Sequence, residues 1–208
     1  MHYSQLIDAV SNGHLDKIQK YVANGLAINK RHQEYDSKTL LHIASQNNQR
    51  QILKFLLENG GDLNIRDTEH NTPLHLAAGK GHYDIALLLT SAGAEIDAKG
   101  TAGWTALHMS SYMGHIDITN HLVSCNDATL NFKDDVGSTA LHYAALKGHD
   151  SIIKLLSLKG GDINALNSEK LTPLDVSIIG EHIETEELIC NLGGKTYNEL
   201  SKNHQYLT

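Results

Sequence analysis

The chain has 208 residues, 40% hydrophobic and 20% charged, and no window reaches the roughly 18 consecutive apolar residues of a membrane-spanning helix, so a spanning protein is excluded. Seventeen Lys and Arg against 24 Asp and Glu leave a net charge of −7, which argues against a phosphate-tracking surface and hence against nucleic acid as partner. Cys125 and Cys190 are too few for a disulfide scaffold and fit a reducing compartment, and the first residues show no basic segment leading into an apolar run, so no secretory signal is expected.

In chain order the first signal is a Gly13-His14 turn, followed by Lys17 and Lys20 on what reads as a polar outer face. Next comes Thr39-Leu40-Leu41-His42, with Asn48 nine residues after the threonine, the apolar set Ile52, Phe55 and Leu56, then Gly60 and Asp62-Leu63-Asn64. The same sentence is repeated from Thr72, Thr105, Thr139 and Thr172, at spacings of 33, 33, 34 and 33 residues. Threonine is a good N-cap and proline suits the first helical position, so each Thr predicts a helix start. The turn at Gly81-His82, Gly114-His115 or Gly148-His149 closes that helix, and a second follows with apolar residues at three- and four-residue spacing, such as Ile85, Leu88 and Leu89. Gly93 and Gly160 stop it. The fourth unit departs from this at Ser124-Cys125-Asn126-Asp127-Ala128, where Asn126 or Asp127 is expected to carry the left-handed turn. In the sixth, Thr185 stands where the others have isoleucine, among Glu184, Glu186 and Glu187, which reads as a solvated cap.

A fixed 33-residue period with Thr72-Pro73-Leu74-His75-Leu76-Ala77-Ala78 resembles the ankyrin repeat, from about Tyr3 to Gly194. The resemblance implies an all-α fold, an elongated and curved α-solenoid of stacked repeats with β-hairpin fingers. It further implies a single domain over 1–208: an N-terminal cap repeat over about 1–33, repeats over 34–66, 67–99, 100–133 and 134–166, a C-terminal cap over 167–194, and a tail over 195–208 that packs on the last repeat or frays.

Nine of the fourteen histidines fall at two repeat positions. Equivalent residues of stacked repeats stand about 10 Å apart, whereas zinc ligands lie about 2 Å from the ion, so a row cannot close around a metal. The expected role is hydrogen bonding to the backbone of adjacent loops. Cys125 and Cys190, about two repeats apart, are expected as free thiols. No nucleophile elbow, phosphate loop or zinc-protease motif is present, so neither catalysis nor a cofactor is expected. His121 stands at the Phe55, Leu88 and Leu155 position, which the pattern marks as packed; it reads as a satisfied, partly buried histidine, or as a weak point whose protonation below about pH 6.5 loosens the fourth repeat.

In ankyrin proteins the finger tips and the exposed side of the first helix form a binding groove. Here the second unit offers Tyr35 among polar residues, while the later units offer Trp104, Tyr112, Met113, Leu146 and Lys147, with Val136, Leu171 and Ile179 beside them. Aromatic side chains and adaptable methionine are suited to interfaces, and the acidic chain favours a basic protein partner over a patch of about 800 Å². Trp104 has two readings, contact or brace between fingers. The expected function is therefore a monomeric, non-catalytic interaction module or adaptor in the cytoplasm, with passage into the nucleus or a host cell left open. Two alternatives stand beside it: an assembly chaperone or enzyme inhibitor similar in plan to gankyrin-like proteins, and a substrate of an asparaginyl hydroxylase at Asn164 or, more loosely, Asn64.

Overall fold

A computed structural model of the chain describes residues 3–125 and 130–205. It divides into two compact units, Met1–Thr101 and Ala102–Thr208. The first holds α1 (Tyr3–Ser11), α2 (Leu15–Ala23), α3 (Leu40–Gln46), α4 (Arg50–Glu58), α5 (Pro73–Lys80) and α6 (Tyr83–Ser91). The second holds α7 (Ala106–Met113), α8 (Ile116–Cys125), α9 (Ala140–Leu146), α10 (Asp150–Leu158), α11 (Pro173–Ile179), α12 (Ile183–Asn191) and α13 (Tyr197–Gln205). Within each unit the helices pair as hairpins, first helices pack on first helices and second on second: α3 on α5 and α4 on α6, α7 and α11 on either side of α9, α8 and α12 on either side of α10.

The first helices start where the threonines predict. Thr39, Thr72, Thr105 and Thr139 hold extended backbone and close a capping box with the histidine three residues on. The backbone N–H of Thr39 donates to His42 Nδ1 at 3.1 Å, so Nε2 carries the hydrogen and donates to Asn71 O at 3.0 Å. His108 and His142 repeat this toward Ser138 O and Leu171 O. Each imidazole thus caps its own helix and ties it to the residue before the next threonine. Burial and the occupied Nδ1 hold all three neutral, with His42 lowered to about 4. A second row ties neighbouring turns: His82 Nε2 to Gln46 O, His149 to Tyr112 O and His182 to Leu146 O, at 3.0 to 3.1 Å.

The second helices bury a different stripe from the one the spacing suggested. Ile52, Leu53 and Leu56, or Ile152, Ile153 and Leu156, are buried, whereas Phe55, Leu88, Leu155 and His121 are only half-buried. The face covered by neighbours is i, i+1, i+4, and the i+3 residue lies at its edge. His121 is therefore no packed anomaly. Its Nε2 lies 3.5 Å from Cys125 Sγ, one turn on, and partial burial lowers its pKa. The cap residues divide likewise. Lys17 and Lys20 are exposed over Ile18, but Thr185 is buried and donates to Asp150 Oδ1 at 2.6 Å instead of facing solvent.

No strand forms among the described residues, and the fingers are turns with one isolated bridge, His32 to Lys38. The reason lies in the loop chemistry. Asp67 Oδ1 accepts the amides of Glu69 and Asn71, and Asp134 Oδ1 those of Val136 and Ser138, so side chains take donors that a ladder would use. Neighbouring tips share single bonds, Thr68 N to Asp36 O and Ser168 N to Val136 O. Asparagines brace the finger bases: Asn64 Oδ1 accepts from Glu95 N, and Asn164 accepts from Lys195 N at 2.8 Å while donating to Gly193 O.

The tail is helical rather than frayed up to Gln205. Thr196 and Glu199 form a capping box like those of the repeats, and Tyr197 N donates to Asp175 Oδ2 at 2.8 Å. The turn expected at Asn126 or Asp127 lies outside the described residues.

Candidate functional site

Of the residues singled out in the later repeats, Trp104, Tyr112 and Lys147 meet in one cluster of the second unit, and Leu146, Leu171 and Ile179 line a notch there. Trp104 precedes the N-cap of α7, Tyr112 and Met113 end that helix, Leu146 ends α9 and Lys147 caps it. Their positions are fixed by the second histidine row, since His149 holds the carbonyl of Tyr112 and His182 that of Leu146. Stacking chemistry and groove chemistry therefore share one set of bonds.

Three rings form the centre. Trp104 and Tyr143 have centroids 4.4 Å apart, Tyr112 meets Trp104 edge-on at 5.3 Å, and Tyr112 lies 6.1 Å from Tyr143. Trp104 Nε1 donates to Tyr143 Oη at 3.1 Å, and Tyr143 Oη donates to Asp134 Oδ2. Asp134 is buried at the finger base, with its other oxygen spent on two amides. Burial and the Asp134 carboxylate push the Tyr143 hydroxyl far above the ordinary tyrosine range. The hydroxyl is a fixed structural donor. Lys147 Nζ closes the rim, 4.6 Å above the Tyr112 ring.

Trp104 has a half-buried ring whose one polar group is satisfied inside the unit, the geometry of a brace. Met113 is 51% exposed, Val136 53% and Ile179 62%, and the tail helix leaves Ile179 open. Leu146 is half-buried and Lys147 exposed. Beside the rings, Tyr143, Leu146, Leu171, Val176 and Ile179 line an apolar notch of about 210 Å³ with Glu169 at its edge.

Two contributors were missed from the sequence, Tyr143 and Asp134. A signal existed for the first: Tyr143 occupies the place held by Ile43, Leu76, Met109 and Val176 in the other repeats, so an aromatic ring there breaks an aliphatic column. Tyr35 belongs elsewhere. It lies in the first unit, half-buried, 5.5 Å from the Tyr3 ring, which itself stacks on His32, and the structure does not gather it with the others. Asn64 and Asn164 also stand apart, each half-buried with its side-chain oxygen holding a backbone amide after the next helix pair, Glu95 N and Lys195 N.

Charge is distributed unevenly. The second unit carries seven lysines, no arginine and thirteen Asp and Glu, a net of −6, whereas the first carries ten Lys and Arg against eleven Asp and Glu, a net of −1. Among the described residues no group of three or more potential metal ligands comes together, both cysteines are exposed free thiols, and no helix is long and apolar enough to cross a membrane.

The family model described as ankyrin repeats (three copies) matches residues 6–100 and again 107–200. No curated protein matches the chain.

Proposed function

Because the chain belongs to the ankyrin-repeat family, we propose that it is a non-catalytic interaction module, an adaptor that grips a basic protein partner with the ring-centred face of its second unit. The observation that carries this is the cluster of Trp104, Tyr112 and Tyr143 rings beside an apolar notch lined by the exposed Ile179, in the more acidic unit. An apolar patch rimmed by polar groups marks an interaction site, and rigid support lowers the entropy lost on docking. Exposed thiols suit a reducing compartment, and the cytoplasm is the place assigned to its action. The module acts as a monomer.

Trp104→Ala would disturb the brace, so the test uses exposed positions. Tagged wild type, a Met113→Asp/Ile179→Asp variant and Thr68→Ala, on an exposed tip of the first unit, are compared for partner capture in the protein's own cells. Loss of the same protein from the double variant alone is the expected result. Equal capture by all three refutes the reading.

A further inference from the structure

Resting on that docking face, we infer that the notch takes one bulky apolar side chain of a partner segment whose adjacent Arg or Lys pairs with Glu169, and that the segment lies with its cation toward the finger and away from Lys147. The notch holds about 210 Å³, below the roughly 300 Å³ at which pockets for small-molecule ligands begin, and it is open toward solvent beside the exposed Ile179. It fits a single anchor side chain better than a metabolite.

The polar groups on its rim are already committed. Asn167 Oδ1 accepts the amides of Glu169 and Leu171, His142 Nε2 donates to Leu171 O, and the Tyr143 hydroxyl is held by Asp134. Glu169 differs: its carboxylate is exposed and makes no hydrogen bond or ion pair with any described residue. A carboxylate beside an apolar notch recognises a hydrophobic residue with a cation next to it, and the net charge of −6 draws such a segment in.

Direction follows from the helix. Glu169 lies in the finger turn whose Leu171 carbonyl is bound by His142 in the first turn of α9, while Lys147 caps the other end. At about 1.5 Å rise per residue, the five residues from His142 to Lys147 span roughly 7 Å along the helix axis, which sets the two ends apart. A segment with its cation at the Lys147 end meets like charge, whereas in the opposite orientation the cation pairs with Glu169, the neighbouring Lys170 being turned over the Tyr197 ring.

The test titrates the ¹⁵N-labelled full chain with three blocked tripeptides at millimolar concentration, acetyl-Arg-Leu-Ala-amide, acetyl-Glu-Leu-Ala-amide and acetyl-Arg-Ala-Ala-amide. The expected result is saturable amide shifts at Ser138, Leu171 and Ile179 with the Arg-Leu peptide. The Glu-Leu peptide binds about threefold to fivefold more weakly, the worth of an exposed ion pair, and the Arg-Ala peptide fails to shift Ile179. Glu169→Lys should reverse the charge preference, and Ile179→Asp, at an exposed position, should remove the leucine contribution. Notch shifts of equal size with the Arg-Leu and Glu-Leu peptides overturn the inference but leave the docking face standing. Shifts from none of the peptides, together with equal partner capture by wild type and Met113→Asp/Ile179→Asp, overturn both.

Discussion

Acid should weaken the first unit through the buried imidazole of His42. His42 is fully buried, its Nδ1 accepts the Thr39 amide, and its pKa falls to about 4 against about 6.5 in an unfolded chain. Above pH 6.5 the ring is neutral in both states and its capping and bridging bonds contribute in full. As pH falls the unfolded chain binds the proton first, so stability declines from about pH 6.5 and levels off only near pH 4. At about 1.36 kcal/mol per pKa unit the full loss approaches ~3 kcal/mol, and at pH 5.5 it is ~1.4 kcal/mol. His108 and His142, also lowered, add losses of the same sign in the second unit. The assay is urea unfolding at half-unit steps from pH 8 to 5. Circular dichroism follows the whole chain. His42→Gln retains a Thr-x-x-Gln capping box without a titrating group. It should start less stable at pH 8 and show a shallower decline by circular dichroism. Parallel wild-type and His42→Gln curves would refute the assignment.

Three further outcomes follow from the same bonds. Gly148→Ala should cost more than the ~1–2 kcal/mol of a left-handed alanine, because φ is +68° and the new Cβ would stand 2.9 Å from the His182 ring; a loss below ~0.5 kcal/mol in urea titration would contradict this. Tyr143→Phe should lose ~1–3 kcal/mol, the cost of leaving buried Asp134 and the indole N–H without their shared partner, seen as a lowered midpoint in Trp104 fluorescence. Asp175→His should release α13, since Tyr197 N would face an imidazole in place of a carboxylate; faster amide exchange at Tyr197 with intact exchange in α9 is the expected pattern.

Helix starts and both histidine rows were legible because each rests on local chemistry that recurs in register. A Thr at the N-cap and a His three residues later specify the same box wherever they stand together. The one exception, Asp175, has a structural reason the pattern alone hides. In the repeats before it, His42, His108 and His142 meet a carbonyl of the following finger and need a donor. After Asp175 the chain skips the finger, Gly194 leads within two residues to Thr196, and what arrives is the N–H of Tyr197. An acceptor is required, and aspartate supplies it while still closing the box with Thr172. The histidine-to-aspartate change thus records what stacks next.

The candidate site was only partly legible, for a related reason. Exposed positions could be found from the period, and Met113, Lys147 and Ile179 were found that way. The period says nothing about which side chains satisfy one another across repeats. Tyr143 and Asp134 are nine residues apart in sequence, and Trp104 reaches Tyr143 over 39 residues, so their shared hydroxyl emerges only when α7 and α9 are side by side. That contact gives the chain's only tryptophan a bracing role inside the unit. If the proposed docking face holds, changes at Trp104 should alter stability and binding together, whereas changes at the exposed Met113, Glu169 and Ile179 should alter binding alone.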